Sequence, residues 1–133
     1  MAKLLSALPV GSVVKSTNTK YNGKVIRWIV GTQDTANGRT GLVAEKMITL
    51  KCFDAKEPSN PNSNRQSYGN NRYSQSNIDQ WLNSADAAWY SARHSYDAPP
   101  NNTNVWNNYN EYDTEAGFLS NFEADFRKAI LDA

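Results

Sequence analysis

The stretch Tyr68-Gly-Asn-Asn-Arg-Tyr-Ser-Gln-Ser-Asn-Ile-Asp-Gln-Trp-Leu-Asn83 joins a polar turn directly to a short amphipathic segment. Ser76 occupies the position of a helix N-cap, and Asp79 occupies the position of the third helical residue. Ile78 and Leu82 follow with the spacing of one helical face. The stretch therefore predicts a capped helix that packs its apolar face on a core.

Upstream segments have the composition of β-strands. Lys24–Val30 is rich in β-branched and aromatic residues, and it follows Asn22-Gly23, a pair that favours a two-residue hairpin turn. A second such pair, Asn37-Gly38, precedes the apolar segment Leu42–Ile48. Together with an extended segment at Ser12–Lys15, these segments predict an antiparallel meander.

The rest of the chain predicts short helices separated by long loops. Helices are expected at Ala2–Leu8, at Ala85–Ala92 and from Ser120 to Ile130, where Ser120 and Glu123 have the spacing of a capping box. Asp54–Asn71 and Asp97–Asn110 are rich in Pro, Asn and Ser, so we expect long surface loops there. The predicted fold class is α+β, a small antiparallel sheet flanked by short helices and long irregular loops, in one domain of residues 1–133.

Charge and hydropathy exclude several kinds of partner. The 14 Lys and Arg residues nearly balance the 13 Asp and Glu residues, so the chain lacks the basic surface that a nucleic acid backbone requires. No apolar run approaches the roughly 20 residues of a membrane-spanning helix. The apolar run near the N-terminus is too short for a signal peptide. We therefore expect no nucleic-acid partner, no membrane insertion and no export by a signal peptide.

Parts of the sequence resemble an uncharacterised domain family that is frequent in tailed phages, prophages and Gram-positive bacteria. The resemblance rests on the opening stretch with Trp81-Leu-Asn83, on Trp89–Pro100, and on Ala116–Phe122 with its Gly117-Phe-Leu119. In that family a strand with a central Trp, here Trp28, precedes the Ser-rich turn and the Trp-Leu-Asn helix. The order of elements matches over most of the chain.

This family is similar to the C-type-lectin-like fold of phage tropism proteins and formylglycine-generating enzymes. The resemblance implies loops that display a binding surface, and a place on a virion made in the host cytoplasm. Longer relatives continue with further β structure, whereas this chain stops at Ala133. We therefore expect an incomplete sheet, covered either by a missing C-terminal segment or by a partner such as another virion or tail protein, or by a second copy in a homo-oligomer.

The residue types of a catalyst are sparse. His94 is the only histidine, and without a neighbouring nucleophile we interpret it as a hydrogen-bonded structural residue. Formylglycine-generating enzymes depend on a cysteine pair, whereas this chain has only Cys52, which we expect to be a small buried thiol. We therefore predict no enzymatic activity, no catalytic residue and no cofactor.

Two short motifs resemble, only in part, the signatures with which C-type lectins hold calcium and sugar. Glu57-Pro-Ser-Asn60 contains an extra Ser relative to Glu-Pro-Asn, and Trp106-Asn-Asn108 lacks the carboxylate of Trp-Asn-Asp. Hard cations need several carboxylates, so we predict no metal. Glu111, Asp113 and Glu115 are interpreted as a solvated acidic face.

The aromatic residues fall into two groups. One lies on periodic faces and is predicted to form the core: Trp28, Trp81, Phe118, Phe122 and Phe126. The other lies with Asn in or near the polar loops and is the predicted ligand-binding set: Tyr68, Asn70, Asn71, Tyr73, Tyr96, Trp106, Asn107, Asn108, Tyr109 and Tyr112. These loop rings either stack on sugars, with Asn amides binding the hydroxyl groups, or anchor the loops.

We therefore expect a noncatalytic phage virion or tail-associated protein that serves host attachment, recognition or assembly. A bacterial surface carbohydrate-binding module is the alternative within binding functions. The rival class is an enzyme of the formylglycine type that has lost its active site. Glycan binding requires Trp106, whereas an enzyme requires a reactive thiol at Cys52.

Overall fold

The computed structural model describes residues 4–130 as an α+β protein with a three-stranded antiparallel sheet and short helices. The chain divides into two compact units. The described part of the first unit is residues 4–49 and 123–130, and the second unit is Leu50–Phe122. The single domain over residues 1–133 stays a prediction. None of the helices within residues 4–130 has the length and apolar content needed to cross a bilayer.

The first unit contains the sheet, in the order β1 (Val13–Tyr21), β2 (Lys24–Asp34) and β3 (Arg39–Ala44). Both neighbouring pairs are antiparallel, which confirms the predicted meander. Asn22 and Gly23 join β1 to β2 with φ angles of 47° and 75°. Two consecutive positive φ angles are typical of the type I′ hairpin turn that an Asn-Gly pair favours.

Two strand boundaries differ from the prediction. β1 runs past Lys15 through a polar segment in which Thr19 is fully buried, and its hydroxyl accepts a hydrogen bond from Trp28 Nε1 at 3.0 Å. We did not predict a strand there because the segment contains few apolar residues. β3 begins at Arg39, directly after the turn, and ends at Ala44 rather than Ile48. Strand pairing therefore starts where the hairpin turn ends, not where the apolar residues begin.

Alternate residues of β2 supply the core of the first unit. Ile26 and Val30 are buried and Trp28 between them is half-buried, as expected for residues that point to one face of a strand. The helix α3 (Ala124–Ala129) belongs to the same unit, and the backbone N–H of Glu123 donates to the carbonyl of Asn18 at 3.3 Å.

The second unit contains two α-helices, α1 (Ser63–Tyr68) and α2 (Asn77–Leu82). α2 is the helix predicted from the opening stretch, and Ser76 Oγ accepts a hydrogen bond from the backbone N–H of Asp79 at 3.3 Å. The N-cap prediction is therefore confirmed. α1 lies where we expected an uninterrupted loop, so that prediction was wrong.

Other helix predictions need correction. Ala85–Ala92 contains no helix. The C-terminal helix begins later than predicted, because Phe118–Asn121 forms a 3-10 helix and Glu123 is the N-cap of α3, without a side-chain capping bond. At the N-terminus a 3-10 helix covers Leu5–Ala7, and the remainder of the predicted helix includes residues 2–3, which lie outside the described residues.

Three buried aromatic side chains, Trp81, Trp89 and Tyr112, form the centre of the second unit. The Tyr112 ring stacks on Trp89 with centroids 5.4 Å apart and meets the Trp81 ring at 5.5 Å and 68°. The indole N–H of Trp81 donates to the carbonyl of Ala116 at 3.0 Å, and that of Trp89 donates to the carbonyl of Glu115 at 2.9 Å. The rings are therefore packed and hydrogen-bonded at once, which buried indoles require.

The predicted aromatic core is confirmed for Trp81 and Phe122, which are buried. Trp28, Phe118 and Phe126 are half-buried. Phe118 bridges the two buried rings, with its centroid 5.2 Å from that of Trp81 and 5.1 Å from that of Phe122.

Glu115 does not lie on a solvated acidic face. Its carboxylate pairs with Lys51, whose side chain is almost completely buried and whose ammonium lies 5.5 Å from the centroids of the Trp81 and Tyr112 rings. The charge of Glu115 therefore neutralises a cation that packs on aromatic faces.

Asparagine side chains replace much of the regular hydrogen bonding in the second unit. Asn62 Oδ1 caps α1 by accepting from the backbone N–H groups of Asn64 and Arg65 at 3.0 and 3.2 Å. Asn77 Oδ1 accepts from the backbone N–H of Ala55 at 2.8 Å. The amide groups thus satisfy backbone donors that neither helix nor sheet satisfies.

Gly117 packs directly against the backbone of Ser84. A Cβ atom at Gly117 would lie 2.3 Å from the Ser84 carbonyl oxygen and 2.6 Å from its carbonyl carbon. Because backbone atoms cannot swing aside as a flexible side chain can, the Gly-Phe-Leu segment needs a residue without Cβ at this point.

We expect Gly117→Ala to lower the free energy of unfolding by about 3 kcal/mol, the upper end of the usual overpacking range. Urea denaturation of the purified chain measures the change. Gly31→Ala is the control, since its Cβ would lie 3.4 Å from the Val43 side chain and 3.7 Å from the Gly41 carbonyl oxygen, which are close to ordinary contact distances. We expect that control to change stability by less than about 1 kcal/mol, and equal losses in the two variants would contradict the packing argument.

Candidate functional site

Two side-chain groups in the second unit have the geometry of a binding site. The first is exposed. Tyr68 is the last residue of α1, and Trp106 is the first residue of a 3-10 helix at Trp106–Asn108. Their ring centroids lie 6.0 Å apart with planes inclined by 22°, and Lys56 Nζ lies 5.5 Å from the Trp106 ring centroid. We call Lys56, Tyr68 and Trp106 the aromatic patch.

Both rings of the aromatic patch lie largely in water. Tyr68 is 68% exposed and Trp106 is 58% exposed, so their stacking does not bury them. Neighbouring Tyr109 is also exposed. Isolated exposed hydrophobic residues are ordinary, but adjacent stacked rings beside a cation are the pattern of a contact surface.

The segment before Trp106 is held by its own hydrogen bonds. Asn101 Oδ1 accepts from the backbone N–H groups of Thr103 and Asn104 at 3.1 and 3.0 Å, and Asn104 Nδ2 donates to the Pro99 carbonyl at 3.1 Å. Val105 is buried directly beside Trp106. These hydrogen bonds order the backbone that carries the exposed Trp106 indole.

The structure places most of the predicted ligand-binding residues at the surface. The exposed members are Tyr68, Asn71, Tyr73, Tyr96, Trp106, Asn107 and Tyr109. Asn108 lies in the 3-10 helix after Trp106, and its side chain is outside the described part of the structure. Of these residues, only Tyr68 and Trp106 are joined by a described ring contact, and ligand binding by the set stays a prediction.

Two members of the predicted set are buried, which corrects their expected place on the surface. Tyr112 is fully buried, and its hydroxyl donates to the Cys52 carbonyl at 2.9 Å. Asn70 is almost fully buried, and its Oδ1 accepts from the backbone N–H of Arg72 at 2.9 Å. Tyr112 thus belongs to the core, and Asn70 shapes the turn between α1 and α2.

The second group is buried and polar. We define the polar cluster as Asp54, Glu57, Arg65, His94 and Asp97. Glu57 is fully buried, and its Oε1 accepts from Arg65 Nε at 2.9 Å and also from Arg65 Nη2. Both Arg65 nitrogens thus donate to one oxygen of Glu57, and the other oxygen, Oε2, accepts from Asn60 Nδ2. These charge-assisted hydrogen bonds compensate the buried carboxylate.

Asp54 accepts hydrogen bonds from the backbone at both of its carboxylate oxygens. Oδ2 accepts from the N–H of Asn70 at 2.7 Å, and Oδ1 accepts from the N–H of Asn77 at 2.9 Å. Burial raises the pKa of the Asp54 carboxyl, these two hydrogen bonds oppose that rise, and the nearby charges of Asp97 and Glu57 add to it.

His94 lies between the carboxylates of the polar cluster. Its Nδ1 is 3.0 Å from the carbonyl oxygen of Ser95, so we assign the ring proton to Nδ1. A longer contact of 3.5 Å joins Nδ1 to Arg65 Nη2. Nε2 is 3.8 Å from Glu57 Oε1 and 3.9 Å from Asp97 Oδ1.

Sequence reasoning missed the polar cluster as a group. Its members are spread from residue 54 to residue 97, and their spacing matches no ligand or catalytic motif. The one usable signal was Asn62, because Asn is a common N-cap residue and could have indicated that α1 begins there. A helix at that place puts Arg65 and Tyr68 about one turn apart.

Cys52 is half-buried. Burial is the main cause that raises the pKa of its thiol to about 11, the nearby Asp54 carboxylate adds to the rise, and the Tyr112 hydroxyl opposes it. Because the thiolate is the nucleophilic form of cysteine, this environment disfavours reactivity near neutral pH.

The fold and these groups define an α+β chain whose second unit carries both an exposed aromatic patch and a buried cluster of charged side chains. The chain belongs to the family described as Domain of unknown function (DUF6273), whose profile matches residues 37–133. The match begins in the turn before β3 and includes the whole second unit. No curated protein and no solved structure gives a significant match to the chain.

Removing the guanidinium of Arg65 leaves a fully buried carboxylate without its principal counter-charge. We expect Arg65→Ala to lower the free energy of unfolding by about 3 kcal/mol, as measured by urea denaturation. Arg27→Ala is the matched control, because the Arg27–Glu45 pair has an Arg side chain that is 54% exposed. Exposed pairs contribute little to stability because water screens them, so a small effect in both variants would contradict our account of Glu57.

The raised pKa of Cys52 predicts slow alkylation of the folded chain. At pH 8 a thiol with a pKa of about 11 is ionised to about one part in a thousand, whereas an unfolded thiol is ionised to roughly a quarter. We expect iodoacetamide to modify the chain at least about 100-fold faster in guanidinium than in buffer, as followed by intact mass. Rapid modification of the folded chain would show that the thiol is activated.

Proposed function

We propose that this chain is a noncatalytic recognition domain of a phage virion or tail, and that it attaches to a host-surface glycan through the aromatic patch. The observation that carries the proposal is the exposed, stacked pair of Tyr68 and Trp106 with Lys56 beside it. A binding surface needs rigid side chains that lose little entropy on contact, and stacked rings on an ordered backbone meet that need.

The chemistry of the aromatic patch suits carbohydrate. Sugar rings present apolar C–H faces that pack on aromatic rings, and hydroxyl groups that accept hydrogen bonds from the Trp106 indole N–H, the Tyr68 hydroxyl and the Lys56 ammonium. The ammonium group also favours glycans that carry carboxylate or phosphate groups. We therefore expect a preference for acidic cell-surface polymers over neutral ones.

A C-type-lectin-like arrangement and a virion location are parts of this proposal. They rest on the resemblance of Trp81-Leu-Asn83 and Gly117-Phe-Leu119 to phage and prophage sequences. Both parts of the proposal are supported by the secondary structure, because the first unit contains a small sheet and the second contains long irregular loops. Loops held by a scaffold are where binding residues concentrate.

Assembly with other chains is supported by the open sheet. Among residues 4–130 no further strand pairs with the outer edge of β3, whereas in β1 the Asn18 carbonyl already accepts a hydrogen bond from the backbone N–H of Glu123. An unpaired edge offers a row of backbone donors and acceptors to another strand. We propose that a virion or tail protein, or a second copy of this chain, pairs there.

The noncatalytic character is supported by Cys52, whose raised pKa opposes the thiolate that formylglycine-type chemistry would use. A bacterial surface carbohydrate-binding module would use the same aromatic patch, so it remains the alternative. The two differ in partners, because a virion protein co-purifies with tail or capsid proteins and a surface module with the cell envelope.

We expect Trp106→Ala to weaken retention on Gram-positive cell walls about tenfold or more, which is the loss typical of a central aromatic contact. Thermal unfolding should be nearly unchanged, because the indole is exposed. Met47→Ala is the control, since Met47 is 78% exposed and lies in the first unit. Retention that is unaffected by the Trp106 substitution, or equally reduced in the control, would exclude the aromatic patch as the glycan site.

A further inference from the structure

Three side chains of the polar cluster bring metal-ligand atoms together. Asp54, Glu57 and His94 each offer one such atom, and these atoms all lie within 4.8 Å of one another. Asp54 and Glu57 come from the segment before α1, whereas His94 comes from the loop after α2. Glu57 and Asp54 are buried and His94 is half-buried, so the group is a built feature of the interior rather than a chance meeting of surface acids.

The orientation of His94 points to a cation. Its Nδ1–H donates to the Ser95 carbonyl at 3.0 Å, which leaves the lone pair on Nε2. Nε2 is buried, and within the described residues it has no hydrogen-bond partner. With Nδ1 as the donor, the Nε2 lone pair lies 3.8 and 3.9 Å from the carboxylate oxygens of Glu57 and Asp97, and a cation between these atoms would remove the repulsion.

The ring geometry matches that of a metal ligand. Histidines that bind metals almost always donate their other ring N–H to a carbonyl or carboxylate, which fixes the tautomer and the ring plane. The 3.8 Å between Nε2 and Glu57 Oε1 is close to the roughly 3.4 Å between two ligands of a tetrahedral zinc ion.

The charges of the polar cluster also favour a cation. The cluster contains three carboxylates, those of Asp54, Glu57 and Asp97, and the Arg65 guanidinium pairs with Glu57. Glu57 Oε1 accepts two hydrogen bonds from Arg65, whereas Glu57 Oε2 and the two Asp54 oxygens accept one each. Because each carboxylate oxygen has about two lone-pair sites, Glu57 Oε2 and the Asp54 oxygens keep capacity for a metal.

We propose that Asp54, Glu57 and His94 bind one divalent transition-metal ion of the zinc class. Two carboxylates with one imidazole suit zinc, whereas calcium prefers oxygen ligands alone. The ion would link the segment that precedes α1 to the loop after α2. This structural site goes beyond the proposed attachment function and revises the expectation that the chain binds no metal.

The site has a consequence for the aromatic patch. Lys56 lies between Asp54 and Glu57 in the sequence, so fixing those two carboxylates also fixes the backbone that carries the Lys56 ammonium. Metal binding to a folded chain adds its binding free energy to stability. We therefore expect the ion to stabilise the second unit as well as the placement of Lys56.

The single histidine gives a direct test. The full chain is treated with chelator, dialysed, and titrated with Zn²⁺ while the imidazole nitrogens are followed by long-range proton–nitrogen NMR. We expect one equivalent of Zn²⁺ to shift the Nε2 resonance and to raise the thermal unfolding temperature, while Ca²⁺ does neither. This measurement involves no carbohydrate, so its outcome is separate from that of the retention assay.

Variants complete the test. His94→Gln is expected to weaken Zn²⁺ affinity at least about tenfold, measured by calorimetry, whereas Cys52→Ser should leave it unchanged because the thiol is not a ligand in the proposal. An Nε2 signal that is unmoved by saturating Zn²⁺ would overturn the proposal. Binding that disappears in Cys52→Ser would also overturn it. If His94→Gln does not fold, the NMR titration of the natural chain decides alone.

Discussion

The packing of Tyr112 between Trp81 and Trp89 is the interaction on which the second unit depends. Each aromatic ring removes about 150–250 Å² from water when it is buried, a large gain for a region that contains only two short α-helices. The polar atoms of the three rings bond to the carbonyls of two segments, one at Cys52 and the other at Glu115 and Ala116. The rings therefore fix the irregular segments of the second unit, as strand pairing fixes the strands of the sheet.

Helix α1 connects the interior of the second unit to its surface. Arg65 and Tyr68 are three residues apart, close to one helical turn. Arg65 binds the buried carboxylate of Glu57, while Tyr68 stacks with the exposed Trp106. A change in the charge of the polar cluster would therefore act on α1, the helix that carries Tyr68 of the aromatic patch.

The sequence predicted those parts of the fold that local chemistry determines. The Asn-Gly turn at Asn22-Gly23 and the cap at Ser76 are examples, because turn type and capping need only neighbouring residues. α1 was missed because its stability comes from the Asn62 cap and the Arg65–Glu57 pair rather than from an apolar face. The polar cluster could not be predicted, since the tertiary fold alone brings His94 to residues almost forty positions earlier.

Because the Trp side chains differ in exposure, their intrinsic fluorescence reports on different parts of the molecule. Trp81 and Trp89 are buried among other rings, whereas Trp106 stands in solvent. Iodide or acrylamide would quench the emission of Trp106 first, that of the half-buried Trp28 less readily, and that of the buried pair least. Fluorescence from one unlabelled sample can thus distinguish an event at the surface from loosening of the interior.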